Sequence, residues 1–104
     1  MLFQPFKFLF PQGQPNVVLK AVPSQFAKEG EKRVLRCIDT YNSVPEPMME
    51  IEQQWDSRKL SRVVGHVASF VIHAVQRKNT GTYVCRAHNE EGKVMDATQL
   101  FVQC

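Results

Sequence analysis

The sequence contains no apolar run near the roughly 20 residues that a membrane-spanning helix requires, so direct insertion into a bilayer is not expected. Glycine is scarce: the 5 glycines are scattered, form no phosphate-cradling loop, and flank no serine in a G-x-S-x-G turn. The three histidines, His66, His73 and His88, have no cysteine or carboxylate at a C-x2-C or H-x3-H ligand spacing, so no metal or cofactor site is expected. Charge of one sign is also in short supply. Thirteen Lys and Arg stand against 10 Asp and Glu, a scattered net +3, without the dense basic stripe by which a nucleic-acid binder is recognised. Glu50 and Glu52 look like a carboxylate pair, but one intervening residue on a strand sends both to the same solvated face. Cys104, at the chain terminus, has no organised histidine base to make it a nucleophile and reads as a boundary residue or a free thiol. The expectation is a protein that is not an enzyme.

What is present points to one core. The 104 residues, 43% hydrophobic and 22% charged, suit a single soluble domain. The opening MLFQPFKFLFPQGQP is rich in Phe but broken by Gln4, Pro5, Lys7 and Pro11, and it lacks a basic leader and a small-residue cleavage site. Residues 1–15 read as an N-terminal tail or linker; the other reading is a short apolar peptide that docks on a neighbouring surface. Residues 16–103 read as the domain. From Asn16 onward, short alternating segments are separated by turn residues: VVLKAV, SQFAKEGE, KRVLRCID, MMEIEQQW, DSRKLSRVVG, SFVIHAV, TYVCRAH and KVMDATQLFV. Helical periodicity is weak and confined to Gln53–Leu60. The turn Asn89-Glu90-Glu91-Gly92 has a glycine able to adopt the positive φ of a tight hairpin.

A side-chain period of two sends Leu35 and Cys37 to one face of their strand, and Tyr83, Cys85 and Ala87 to one face of another. Two inward cysteines from different sheets can meet across a sandwich core. If bonded, they close a loop of about 49 residues, worth about 4 kcal/mol by chain entropy.

The pattern Phe70-x-Ile72-x-x-Val75-x-x-x-Asn79-x-Gly81-x-Tyr83-x-Cys85-x-Ala87-x-Asn89-x-x-Gly92, followed by Leu100-x-Val102, resembles strands E, F and G of intermediate-set (I-set) immunoglobulin domains. Gly30 and Leu35 ahead of Cys37 resemble strand B, so the likeness runs from Asn16 to Gln103. It implies an all-β, two-sheet immunoglobulin-like Greek-key sandwich with a Cys37–Cys85 disulfide and Tyr83 as the tyrosine-corner residue. Leu35, Phe70, Ile72, Tyr83 and Leu100 are the expected core, with Trp55 packed on the cysteines through a lengthened Tyr41–Met49 connection. Counting four on from Pro47 instead puts Ile51 in the tryptophan's place. Two more departures matter. Asn79 replaces the usual Asp, reducing any ion pair with an Arg of strand D to a neutral hydrogen bond. Arg33 stands at a normally aliphatic position, so that end is exposed or Arg33 snorkels.

Function on such a fold lives in loops and on sheet faces. Alternation puts Val84, Arg86, Met95, Ala97 and Phe101 on one outer surface, a candidate protein-binding face of apolar residues around an arginine. Met48 and Met49 form a second candidate, set against a core role, and the basic set Arg58, Lys59 and Arg62 a third. The resemblance implies a protein-binding module of a cell-surface adhesion molecule or receptor, with flanking Ig-like or fibronectin-type domains. The alternative is an intracellular module of a titin-like or myosin-binding scaffold of the sarcomere or cytoskeleton. The lack of any N-x-[ST] sequon and the odd third cysteine suit the latter.

Overall fold

Turn residues cut the described residues into eight strands. In the computed structural model, which describes residues 13–103, these are β1 (Val17–Val22), β2 (Phe26–Lys28), β3 (Arg33–Asp39), β4 (Met48–Gln53), β5 (Ser61–Val64), β6 (Val67–Ile72), β7 (Gly81–Asn89) and β8 (Gly92–Gln103). A single helical turn, Arg77–Asn79, lies between β6 and β7. The strands form a three-stranded sheet, β1-β3-β6, and a five-stranded sheet, β2-β8-β7-β4-β5. β2 pairs in parallel with β8 and the other pairs are antiparallel. This is an all-β immunoglobulin-like sandwich. β5 pairs with β4 and not with β6, so among the described residues the three-stranded sheet has no fourth strand to present an arginine opposite position 79. The weakly helical stretch after Gln53 is a turn followed by bends.

The inward faces are apolar and interlock. Leu35, Cys37, Met49, Ile51, Val75, Tyr83, Cys85 and Leu100 are fully or almost fully buried, with Ile72 at the margin and Phe70 packed against the cluster. Cys37 of β3 and Cys85 of β7 are disulfide-bonded across the sheets, with Cα atoms 6.4 Å apart. Tyr83 lies in the same core and its hydroxyl donates to the Asn79 carbonyl at 2.6 Å, the tyrosine-corner bond. Burial raises the Tyr83 pKa above its ordinary value, partly offset by that bond. The Asn79 side chain accepts from the Gln76 amide at 2.7 Å and so caps the helical turn.

Trp55 is not in the core. It is 93% exposed, while Ile51 lies opposite Cys85 in register and is buried against the disulfide layer. The even spacing of the two residues would put both on one face only if the strand were unbroken. β4 ends at Gln53, and the Asp56 amide donates to the Gln53 carbonyl at 3.0 Å, closing a reverse turn. Trp55 is the third residue of that turn, at φ 70°. Met49 is core and Met48 is half-buried on the other face, so the two thioethers do not make a common tip.

Arg33 is buried, and its guanidinium donates to the carbonyls of Ser24, Phe26 and Lys32 at 2.7–2.9 Å, tying β3 to the β1–β2 turn. Gly92 does not have positive φ. The Asn89 side chain makes the hairpin by accepting from the amides of Glu91 and Gly92. Gly92 instead allows a close approach, because a Cβ there would lie 2.8 Å from Gln14 Cβ and displace that residue. Gly13–Pro15, assigned with the tail, pack at this end: Asn89 Nδ2 donates to the Gly13 carbonyl at 2.8 Å, and Pro15 is buried. Residues 1–12 and Cys104 lie outside the described residues.

Candidate functional site: the outer face of the five-stranded sheet

With Met49 and Ile51 inward, β4 turns Glu50 and Glu52 outward; with Tyr83, Cys85 and Ala87 inward, β7 turns Val84, Arg86 and His88 outward. Cross-strand register aligns Glu52, Val84 and Ala97 in one row and Glu50, Arg86 and Met95 in the next. Val84, Arg86, Met95 and Ala97 are therefore neighbours. Phe101 lies further along β8 and stacks on Phe26 of β2, with ring centroids 5.4 Å apart. Val84 is not exposed as alternation implied. It is 3% exposed yet stands outside the core cluster. It is a short side chain at the floor of a recess whose walls are longer ones, including Glu52, Trp55, Arg86 and Met95.

Charge on this face is layered. Arg86 Nε bonds Glu52 Oε1 at 2.8 Å, Lys59 Nζ bonds Glu52 Oε2 at 2.9 Å and approaches Glu50 at 3.8 Å, and Arg62 Nε lies 3.3 Å from Glu50. The carboxylates are the lower layer: the Glu52 and Glu50 side chains are 12% and 17% exposed, against 52% for Arg86 and 63% for Arg62. Hydrogen bonds from Arg86 and then Lys59 lower the Glu52 pKa below the usual carboxylate range, against a smaller cost of burial. The basic set is therefore paired with the two glutamates and, at Arg58, with Asp56 at 2.8 Å. Glu50 and Glu52 anchor cations and do not stand free in water.

A second polar cluster, at the β3–β4 end, was not anticipated. Asp39 is buried and its carboxylate accepts five hydrogen bonds: from the amides of Asn16, Tyr41 and Ser43, from Ser43 Oγ, and from His66 Nδ1 at 3.0 Å. Burial alone would raise its pKa, but these bonds outweigh it, Ser43 foremost, and hold it at about 2. One more step of the Leu35, Cys37 alternation would have shown this acid pointing inward. Asp39, His66 and Ser43 do not form a catalytic triad, because serine and histidine both bond the carboxylate and the hydroxyl proton is directed away from the imidazole. His73 and His88 are exposed, on strands of opposite sheets or beside them. Among the described residues, no group of three or more His, Cys, Asp or Glu is placed to hold a metal ion.

A two-sheet sandwich pinned by a disulfide across its core defines an immunoglobulin-type domain. The family model for the immunoglobulin I-set domain matches residues 16–102, and the chain belongs to that family, whose domains are generally non-catalytic and generally mediate protein–protein interaction. Vascular cell adhesion protein 1 of Canis lupus familiaris is 28% identical over 88 residues, covering 85% of this chain but 12% of that relative. Among solved structures, a chimeric titin Z1Z2 carrying a decorin peptide superposes with TM-score 0.69 at 22% identity, covering 88% of this chain and 96% of that one. A C. elegans twitchin kinase fragment gives 0.66 at 23%, over 86% and 21% of the two chains, and the human B7-H4 IgV-like domain 0.64 at 13%, over 85% and 96%. These structural likenesses are likenesses of fold.

Proposed function

We propose that this chain is a non-catalytic, protein-binding module of a cell-surface adhesion molecule or receptor, acting through the outer face of its five-stranded sheet. The Cys37–Cys85 disulfide carries the reading, because oxidising compartments preserve such a bond and reducing ones do not. The likeness to vascular cell adhesion protein 1 supports it. Alkylation followed by mass measurement, with and without reductant, on protein from its native source tests the compartment. A pair that resists alkylation until reduced is expected; a fully alkylated pair would move the chain to the intracellular, titin-like reading.

The face has its own test. Beads coated with the domain are expected to attach to cells that carry the partner. The double variant Met95→Glu/Phe101→Asp should attach several-fold less while melting within several degrees of the wild type, since both side chains are exposed and only the Phe26–Phe101 stack is lost. Equal attachment would remove this face from the account.

A further inference from the structure

Trp55 is a large apolar side chain that gives the fold nothing. It is 93% exposed, and it holds φ 70° in a turn position where glycine or asparagine is the ordinary occupant. A bulky residue is strained there, and strain of this kind collects at binding sites. The recess beside it has Val84 at its floor, with Met95 and Arg86 on its walls and the carboxylates of Glu52 and Asp56, each held by an arginine, beside them. Aromatic anchors beside arginine, around a small apolar recess, have the composition of an interface hot spot.

Charge narrows the partner. Arg58, Lys59, Arg62 and Arg86 outnumber Glu50, Glu52 and Asp56 by one, and the guanidinium groups lie above the carboxylates they bind, so an approaching molecule meets the cations first. A second copy of the same face would set exposed cation against exposed cation. A sulfated glycan would engage the cations but has no apolar group to fill the recess over Val84. Resting on the face proposed above, we infer that Trp55 anchors a docking site for an acidic protein segment: an apolar side chain of the partner packs on Trp55 and Met95, while an adjacent carboxylate binds the Arg86 or Arg58 guanidinium.

A phage library of random twelve-residue peptides, panned against the wild-type chain with Trp55→Gly as counter-selection, tests this. Enriched sequences are expected to place Asp or Glu within three residues of Phe, Trp or Leu. A synthetic peptide from that pool should bind wild type at least about tenfold tighter than Trp55→Gly, and its affinity should fall as salt is raised. Trp55→Gly should melt no lower than wild type, separating lost binding from lost folding. Enrichment of basic or uncharged sequences, no enrichment, or equal binding by Trp55→Gly overturns the inference. So does retention of a heparin oligosaccharide through the same arginines when no peptide is enriched. If bead attachment still depends on Met95 and Phe101 in any of these cases, the face survives and only the Trp55 site is lost.

Discussion

The loop that leads into β4 and the turn that leaves it treat their side chains in opposite ways. At the first, Asp39 is buried and gathers five donors from Asn16, Tyr41, Ser43 and His66, and the connection from β3 is fixed by them. At the second, Trp55 stands in solvent on a strained backbone. Buried polar groups that are fully satisfied specify structure; an exposed aromatic in a costly conformation does not. One end of the strand holds the fold, and the other is available for binding.

Removing the disulfide should soften both ends together. Cys37→Ala/Cys85→Ala releases a loop of 48 residues in sequence separation, and urea denaturation should show a loss of about 4 kcal/mol. Asp39→Ala strands five donors at one end only, and a loss of about 3 kcal/mol is expected by the same measurement. Protonation sharpens the contrast. The Asp39 pKa is lowered from 3.8 to about 2, so its contribution is complete above the unfolded value and is lost as pH falls through that range. Acid titration of stability should show about 2 kcal/mol disappearing across this window, and Asp39→Asn should flatten it.

The part of the molecule legible in the sequence is the part governed by alternation. Leu35, Cys37, Tyr83 and Cys85 follow a period of two and meet across the core. Trp55 shows where that rule fails, because strand length is set by a turn that carries no Gly or Pro to announce it and the single tryptophan falls beyond the final paired residue. Val84 fails differently: alternation gives its direction correctly, but burial depends on the neighbouring Glu52, Arg86 and Met95, which only the register brings around it. The Glu52–Arg86 pair is likewise a product of register between strands remote in sequence, and the Glu50–Arg62 pair of register between the consecutive strands β4 and β5.

Trp55→Ala, measured by urea denaturation beside wild type, tests the division between the two ends most directly. A change within about 0.5 kcal/mol is expected, as for a surface side chain that packs on nothing. A loss of about 2 kcal/mol or more would mean that the tryptophan is buried in the working fold, and that the exposed turn is not a binding element.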